Sequence, residues 1–470
     1  MIYDIAIIGG GSAGLSVAAA AAQLGQSVVL FEKGEMGGEC LNAGCVPSKA
    51  LLSAARAAQA HRSCGPIGIA ATEPVVDFAK VMDHVARAIA TIAPHDSQAR
   101  FESLGVKVVR AVARFTAPDR LLAGGEEFAA RRIVIATGSR VSLPAIPGLA
   151  DVPFFTNETI FRNRVQPTHL VVIGGGPIGL EMAQAFRRLG SAVTVLEAAA
   201  ALGREDPELA AVVLRQIAAE GIVIHAQAKI QSVAASGDGI TVRIEGRDII
   251  TGSHLLVAAG RRPNLEGLDL EKGNIRSDSR GGVMLDHGLR SVSNRKVYAI
   301  GDAAGGLQFT HVAGYQAGLV IRNALFRLPI RNRTDIIPRA TFTEPELAHV
   351  GLTEAEARAA HGAGVKVLRS DFAGNDRAVA EAETAGFVKI MTSARGRILG
   401  ASIVGPHAGE LIAPWALAVT RSLKISAMAG VVLPYPTLGE AGKRAAITYY
   451  QGLATKPWLR KLIGILKIFG

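Results

Sequence analysis

Two stretches of the chain share one pattern of apolar and polar positions. Each starts with a short run of aliphatic residues, breaks at a cluster of glycines, continues into a stretch of helical character and ends in a second apolar run. The sequences are IAIIGGGSAG with SVVLFEK, and VVIGGGPIG with EMAQAFRRLG and AVTVLE. This periodicity predicts strand, turn, helix and strand in each copy. The chain is therefore predicted to be an α/β protein with two Rossmann-like units.

The glycines of the two turns occupy matching positions. In each copy the first allows a tight turn, the second lets the backbone approach a pyrophosphate, and the third lets the helix pack closely on the strand. The helix N-terminus then presents unpaired N–H groups to the phosphates. The glycines are Gly9, Gly11 and Gly14 in the first copy and Gly174, Gly176 and Gly179 in the second. An acid that can bind a ribose diol follows each last glycine by 18 positions, Glu32 and Glu197. Two dinucleotide sites are predicted.

Two sites imply two dinucleotides, one a nicotinamide cofactor and the other a flavin. Glu197 bears on which nicotinamide binds, because a carboxylate repels a 2′-phosphate and the alanines at 198–201 supply no arginine to neutralise it. NAD is therefore favoured over NADP. Arg204 is close enough in sequence to leave NADP open as the alternative.

Composition and charge argue against other classes of protein. The chain has 470 residues, enough for several domains, and its apolar residues are spread among Gly-rich turns with no run long enough to span a membrane. The net charge of +11 favours anionic partners. Only 5% of residues are aromatic and they do not alternate with basic ones, so nucleic acid is not an expected partner. The N-terminus lacks the features of a signal peptide, which predicts a cytoplasmic protein.

The segment GGECLNAGCVPSK, residues 37–49, contains Cys40 and Cys45, two of the three cysteines in the chain. A structural disulfide, a metal site and a redox centre are the three interpretations. A short closed loop removes little entropy from the unfolded chain. Zinc normally needs four ligands, and neither a second cysteine pair nor a nearby histidine supplies them, so no metal site is predicted. A thiol pair directly after the first dinucleotide unit indicates redox chemistry.

The same segment resembles the redox-active segment of the pyridine nucleotide-disulfide oxidoreductases, which include dihydrolipoamide dehydrogenases, glutathione reductases and mercuric reductases. The resemblance continues through ATGSR, GGGPIGLEMA, VAAGRRPN, YAIGDAAG, FTEPELAHVGLTEAEA and GPHAGELI. It implies a homodimeric FAD enzyme with FAD-binding and NAD-binding domains and a C-terminal α+β dimerisation domain. Electrons would pass between NAD(H), FAD and a Cys40–Cys45 disulfide to a disulfide-like acceptor.

The resemblance also implies roles for individual residues. Cys45 would contact the flavin as the charge-transfer thiol, and Cys40 would be the interchange thiol that meets the substrate. Lys49 and Glu181 would form an ion pair near the flavin, and Asp302 would bind the ribityl hydroxyls. A cation at that place would stabilise negative charge on the reduced flavin and lower the pKa of a thiol. The remaining cofactor contacts implied are Thr137, Gly138, Gly260, Gly301 and, through its backbone, His311.

The C-terminal region departs from the family pattern. Most members have a His-Pro-Thr motif followed by Glu, whereas LPYPTLGE places Tyr435 at the histidine position and Glu440 at the expected glutamate. A phenol is a poor general base at neutral pH, which argues against efficient oxidation of dihydrolipoamide. Mercuric reductases are similar in having Tyr there, but their C-terminal cysteine pair has no counterpart after Cys64. Tyr435 and Glu440 would act across the dimer; the alternative is that Tyr435 only packs at a subunit contact.

The order of the motifs predicts domain bounds. These are an FAD-binding domain at 1–146, an NAD(P)-binding domain at 147–265, a segment completing the FAD domain at 266–336, a dimerisation domain at 337–452 and a basic amphipathic tail at 453–470. On a helix, the tail places its cations on one side and its apolar residues on the other. Such a helix suits peripheral contact with the inner face of a membrane, and packing on the protein's own dimer is the alternative.

Three functional hypotheses result. The first is an FAD-dependent, dihydrolipoamide dehydrogenase-like enzyme that uses Cys40 and Cys45. The second is another reductase, either mercuric-reductase-like or a membrane-surface NADH:quinone or dye reductase in which flavin alone reduces the acceptor. The third is a flavin-binding component of a larger complex, without catalysis.

Overall fold

A computed structural model of the chain describes residues 1–237, 239–279, 281–452 and 456–469. Residues 1–141 form seven strands and five helices. The strands are β1 Ile2–Ile8, β2 Val28–Phe31, β3 Lys107–Val109, β4 Ala113–Ala117, β5 Arg120–Ala123, β6 Glu126–Ile135 and β7 Ser139–Val141. The helices are α1 Ser12–Gln23, α2 Gly38–Asn42, α3 Cys45–Ser63, α4 Phe78–Ile92 and α5 Gln98–Ser103.

The middle of the chain repeats strand and helix. Its strands are β8 His169–Ile173, β9 Ala192–Leu196, β10 Val223–His225, β11 Ile230–Ser236, β12 Gly239–Ile244, β13 Ile250–Gly252, β14 His254–Val257, β15 Arg261–Pro263 and β16 Val297–Ala299. Its helices are α6 Pro177–Arg188, α7 Pro207–Ala219 and α8 Thr310–Ala324.

The last third contains five strands and seven helices among its described residues. The strands are β17 Arg339–Thr341, β18 Glu346–Gly351, β19 Lys366–Asp371, β20 Phe387–Thr392 and β21 Ile398–Gly405. The helices are α9 Glu354–His361, α10 Asp376–Ala380, α11 Ala408–Leu411, α12 Ala413–Thr420, α13 Ile425–Ala429, α14 Glu440–Thr448 and α15 Pro457–Leu466. Short 3₁₀ turns occur at Gly65–Ile67, Ala93–Asp96, Leu149–Asp151, Ile160–Arg162, Gly301–Ala304, Gly362–Gly364, Phe372–Gly374 and Lys467–Phe469.

The first sheet has the strand order β3-β2-β1-β6-β5-β4, and β16 also pairs with β6. Strands β3, β2, β1, β6 and β16 run parallel, whereas β4 and β5 are antiparallel. The centre of β1 is fully buried on both faces, as the continuous apolar run predicts for a central parallel strand. A segment from late in the chain therefore completes a sheet that begins at residue 2.

The second sheet is parallel in the order β10-β9-β8-β14, with the three-stranded antiparallel sheet β11-β12-β13 beside it. The C-terminal sheet, β17-β18-β21-β20-β19, is antiparallel. Two Rossmann-like sheets, the first parallel except for β4 and β5 and the second parallel throughout, are followed by an antiparallel sheet with helices, which confirms the predicted fold class.

Packing between the first two regions determines where the functional side chains lie. Helix α3, which follows the first nucleotide unit, packs against α6 of the second unit. One hydrophobic core runs through this contact, with Leu51 of α3 and Phe186 of α6 both fully buried. The two predicted nucleotide units are therefore joined by the helix that begins at Cys45.

None of the described helices combines the length and apolar character needed to cross a bilayer.

Candidate active site

One cavity of about 870 Å³ lies where the first glycine turn, helix α3 and helix α6 meet. Twelve residues predicted from the sequence line it: Gly9, Gly11, Glu32, Cys40, Cys45, Lys49, Thr137, Gly138, Glu181, Gly301, Asp302 and His311. Eight others do not line it among the described residues: Gly14, Gly174, Gly176, Gly179, Glu197, Gly260, Tyr435 and Glu440. The first residues of α6, Pro177 and Ile178, do line it, so the second glycine turn leads directly to the same space.

The two glycine turns have the same geometry. Gly9 and Gly174 have φ angles of 113° and 118°, a region that disfavours side chains. A Cβ on Gly14 would collide with the carbonyl oxygen of Gly9, and a Cβ on Gly179 would collide with that of Gly174. Gly14 therefore lies behind the cavity wall and serves packing, as Gly179 does in the second unit.

The two acids bind their own turns in the same way. Glu32 accepts hydrogen bonds from the backbone N–H groups of Gly10 and Gly34, both at 2.6 Å. Glu197 accepts from Gly175 at 2.6 Å and from Ala199 at 2.8 Å. Each carboxylate is thereby fixed at the end of its strand, with acceptor capacity remaining for a ribose diol.

The cysteines are held by two short elements. Cys40 lies in α2 and Cys45 is the first residue of α3, and both are unbonded thiols, the reduced form of the pair. Cys45 faces the cavity, and its Sγ lies 3.4 Å from Oγ1 of Thr310 at the start of α8. The N-terminal end of a helix favours a thiolate, so the chain path itself prepares Cys45 for ionisation.

The two thiols have opposite electrostatic environments. A hydrogen bond from the Cys40 thiol lowers the pKa of Cys45 to about 6, and the Thr310 hydroxyl and the Lys49 ammonium act in the same direction. Burial and the negative charge of Glu181 oppose this shift. The pKa of Cys40 is raised, first because its thiol proton is shared with Cys45 and second because it is buried. At neutral pH Cys45 is therefore the thiolate and Cys40 the protonated donor.

Lys49 and Glu181 form an ion pair between α3 and α6. Their Nζ and Oε2 atoms are 2.8 Å apart, and the Glu181 side chain is only 7% exposed. The other carboxylate oxygen of Glu181 accepts the backbone N–H of Phe342 at 2.9 Å. The Lys49 ammonium also lies 4.2 Å from the centre of the Phe342 ring. The cation beside Cys45 is thus held by two contacts, the Glu181 carboxylate and the Phe342 ring, and moving it away from the cavity would leave a buried carboxylate without its ion-pair partner.

A second charged network, which the sequence analysis missed, lies on the other side of Cys40. Arg261 pairs with Glu39, the residue before Cys40, and donates to the Ser139 hydroxyl at 2.9 Å. Ser139 in turn donates to Asp302, whose carboxylate is 3.7 Å from Arg261. Burial raises the pKa of Glu39, and the Arg261 guanidinium opposes that rise. The opposite charges within the GGEC and GRRPN motifs were the signal that could have suggested this pair.

His311 and Thr310 have different surroundings. Nε2 of His311 is 2.8 Å from the carbonyl oxygen of Pro338, and its ring stacks on Phe309 with centroids 5.3 Å apart. Its ring is engaged by protein groups, whereas the adjacent Thr310 hydroxyl contacts Cys45.

Tyr435 and Glu440 lie on the C-terminal region, outside the cavity walls that the described residues form. The Tyr435 hydroxyl donates to Asp376 at 2.7 Å, which raises the pKa of the phenol. The Tyr435 side chain is 69% exposed. Glu440 begins α14, and its buried Oε2 has no hydrogen-bond partner among the described side chains and backbone. Arg444 lies 3.4 Å from Asp376, so phenol, carboxylate and guanidinium form one surface cluster.

The residues present fit FAD and a pyridine nucleotide. The Thr137 hydroxyl is buried at the cavity without a partner in the described chain, as expected for a group that meets a cofactor. A Cβ on Gly176 would meet nothing within 4 Å, leaving room for a pyrophosphate at the N-terminus of α6. In the described ranges no three His, Cys, Asp or Glu side chains come together as a metal site.

Comparison with known proteins places the chain among flavoenzymes of this kind. Residues 3–317 match the pyridine nucleotide-disulphide oxidoreductase family, and residues 337–446 match the dimerisation domain of that family. A mercuric reductase of Streptomyces lividans is 36% identical, covering 96% of this chain and 97% of the relative. A dihydrolipoyl dehydrogenase of Thermus scotoductus is 35% identical, covering 94% and 96%.

Solved structures of similar proteins have the same fold as this chain. The LpdA structure from Mycobacterium tuberculosis superposes with a TM-score of 0.88 at 26% identity, covering 95% of this chain and all of that one. A Cu(II) complex of the HOCl-induced flavoprotein disulfide reductase RclA from Escherichia coli has a TM-score of 0.86 at 27% identity, covering 95% and 99%.

Proposed function

The chain belongs to the pyridine nucleotide-disulphide oxidoreductase family, and from that premise we propose that Cys40 and Cys45 carry electrons from a nicotinamide-reduced flavin to a disulfide-type acceptor. The protein is a flavin-dependent oxidoreductase that binds FAD and a pyridine nucleotide, and its dimerisation domain makes it a homodimer. The observation that carries the proposal is a thiolate-prone Cys45 at the start of α3, facing the cavity beside the Lys49 cation.

The proposed chemistry divides between cofactors and side chains. When bound, FAD accepts two electrons from the nicotinamide and delivers them to sulfur. Reduction of the Cys40–Cys45 disulfide by two electrons takes up one proton and gives the Cys40 thiol and the Cys45 thiolate. The Cys40 thiol proton moves to Cys45 through their hydrogen bond as the Cys40 sulfur attacks one sulfur of the acceptor disulfide. The acceptor S–S bond breaks, and the departing sulfur takes the proton from Cys45 and leaves as a thiol. The Cys45 thiolate then attacks the Cys40 sulfur and restores the protein disulfide, and the second acceptor sulfur leaves and is protonated from solvent.

Charged residues around the thiols position the cofactors and stabilise charge in this scheme. We propose that Lys49, held by Glu181, stabilises negative charge at the flavin and at Cys45. Asp302, oriented by Ser139 and Arg261, is assigned the cofactor hydroxyls. Glu32 and Glu197 are assigned the two ribose diols, and the carboxylate of Glu197 favours NADH over NADPH.

We also propose the domain bounds 1–146, 147–265, 266–336 and 337–452 as functional units, with the third completing the first. Support comes from sheet membership, since β16 at Val297–Ala299 pairs with β6 of the first sheet.

The identity of the acceptor separates two candidate activities. Lipoamide, the disulfide formed when dihydrolipoamide is oxidised, is the first, supported by relatives named dihydrolipoyl dehydrogenase. A soft metal ion such as Hg(II) is the second, supported by relatives named mercuric reductase. Thiolates are preferred ligands of soft metals. Tyr435 at the position of the usual histidine base favours the second, because a phenol whose pKa is raised by Asp376 is a poor base for a dithiol.

Anaerobic titration of the purified holoenzyme with NADH tests the electron path. We expect a long-wavelength thiolate-to-flavin absorbance in the wild type and its loss in Cys45→Ser. Cys40→Ser should keep the absorbance, because the Cys45 thiolate remains, and Cys64→Ser is the matched control. A Cys45→Ser variant that still shows the band would contradict the proposal. Steady-state NADH oxidation with lipoamide, glutathione disulfide, Hg(II) and quinones then ranks the acceptors.

A further inference from the structure

The C-terminal amphipathic helix, defined as residues 456–469, is not packed into the rest of the described chain. Within this helix, α15 and the 3₁₀ turn that follows have no buried residue. Seven large apolar side chains there expose between 43% and 82% of their surface: Trp458, Leu462, Ile463, Ile465, Leu466, Ile468 and Phe469. Single exposed apolar residues are ordinary, but a contiguous set on one helix marks an interaction surface.

The exposed residues are sorted by chemistry around the helix. At 100° per residue, the cations Arg460, Lys461 and Lys467 fall with Gly464 within an arc of about 120°. The apolar residues from Trp458 to Leu466 occupy an opposite arc of about 160°, which Phe469 also shares, whereas Ile468 falls on the cationic side. The apolar face is therefore continuous and is bordered by positive charge on its solvent side.

Charge determines which partner fits. No Asp or Glu follows Glu440 in the sequence, whereas the helix alone contributes four cations, Lys456, Arg460, Lys461 and Lys467. A patch of one sign beside an apolar face complements a surface that is apolar beneath and negative above, which describes a bilayer containing anionic lipids. Trp458 and Phe469 lie near opposite ends of the helix, and aromatic rings favour the level of the lipid headgroups.

Length determines how the helix would lie. The ten residues of α15 span about 15 Å, half the hydrocarbon thickness of a membrane. A helix of this length with one polar face lies in the plane of the interface. We propose that residues 456–469 bind the enzyme reversibly to an anionic lipid surface, apolar face inward. None of these residues lines the redox cavity, so the inference is independent of the proposed electron path.

Co-sedimentation of the full-length FAD-loaded enzyme with vesicles tests this directly. The vesicles are phosphatidylcholine alone, or phosphatidylcholine mixed with phosphatidylglycerol. We expect binding to the mixed vesicles only. Binding should weaken as salt is raised from 0.05 to 0.5 M, because the Debye length then falls on the order of threefold and the attraction to anionic lipid is screened. Two variants that each add one lysine separate the faces. Leu466→Lys, on the apolar face, should weaken binding at least about tenfold. Gly464→Lys, on the cationic face, should leave binding unchanged or tighten it up to about fivefold.

The other occupant of the apolar face would be a second copy of the chain. Sedimentation velocity without lipid distinguishes packing on a second copy from binding to lipid. If Leu466→Lys dissociates the dimer, and if the wild type does not pellet with vesicles, the helix packs on the partner subunit and the proposal is wrong. Equal binding by both lysine variants would also overturn it. NADH-driven flavin reduction, which should be the same in wild type and both variants, verifies that each variant is folded.

Discussion

The Thr310 hydroxyl offers the sharpest test of how the site generates a thiolate. Thr310→Val keeps the shape of the side chain and removes only the hydroxyl that lies 3.4 Å from Cys45 Sγ. Thr310 is the first residue of α8 and its side chain caps no backbone group, so the substitution should not disturb the helix. The expected electrostatic consequence is a higher pKa at Cys45, because one donor to the thiolate is lost; the same hydroxyl lowers the pKa of Cys40, which should rise in the same direction.

The size of the effect follows from the geometry. Hydrogen bonds to charged groups contribute about 1.5–3 kcal/mol, and the cavity-facing position of Cys45 places this one at the low end. A pKa shift of one unit corresponds to about 1.36 kcal/mol, so the variant should shift the pKa from about 6 to roughly 7. At pH 6.5 the thiolate fraction would then fall from about three-quarters to about one-quarter.

The assay is a pH titration of the long-wavelength absorbance in the two-electron-reduced holoenzyme under anaerobic conditions. Thr310→Ser, which keeps the hydroxyl, is the matched control and should titrate like the wild type. If Thr310→Val titrates with the wild-type midpoint, the hydroxyl does not stabilise the thiolate and the electrostatic account of the site fails. A shift of the same size in Thr310→Ser would instead indicate a packing effect.

Three further predictions concern separate parts of the molecule. Lys49→Met leaves the buried Glu181 carboxylate without its cation and should lower the free energy of unfolding, measured in urea, by about 3 kcal/mol. The double variant Lys49→Met with Glu181→Gln should recover part of that loss. If the losses of the two single variants simply add in the double variant, the ion pair does not contribute to stability. Tyr435→His should raise dihydrolipoamide oxidation at least about tenfold and give its rate an apparent pKa near 6.5, whereas Tyr435→Phe should do neither. Burial lowers the pKa of His349 to about 4, so as the pH falls the unfolded chain protonates this histidine before the folded chain does. The contribution of neutral His349 to the free energy of unfolding is therefore present in full above about pH 6.5, and about 3 kcal/mol of it is lost by pH 4. His349→Gln should flatten this pH dependence in thermal or urea unfolding.

Local chain geometry explains why so much of the fold was predictable. The glycine turns and the acids at the following strand ends are separated by short, fixed spacings, and the structure builds both units in the same way, down to the backbone groups that Glu32 and Glu197 accept. The start of α3 at Cys45 is equally local. Such features depend on the backbone conformation of one short contiguous segment, and the residue types in that segment restrict its conformation.

The site beyond those motifs depends on contacts between distant segments. Thr310 meets Cys45, and Arg261 meets Glu39, only because the starts of α8 and β15 come together with α3 and α2 at the cavity. Residue type alone could not single out Thr310 and Arg261 as site residues among the many threonines and arginines of the chain. Nor did the helical pattern of the tail show whether its apolar face would be covered by the chain itself; the structure leaves that face exposed.

The amino-acid sequence alone determined the two nucleotide-binding units and the placement of a cysteine pair beside the first, because these are properties of contiguous residues. The tertiary structure alone decided that α3 packs against α6, and that Thr310 at the start of α8 joins Cys40 and Lys49 in lowering the pKa of Cys45. The reason is physical. The pKa of a thiol depends on charges and donors within a few ångströms, and which groups come that close is settled by packing of the hydrophobic core.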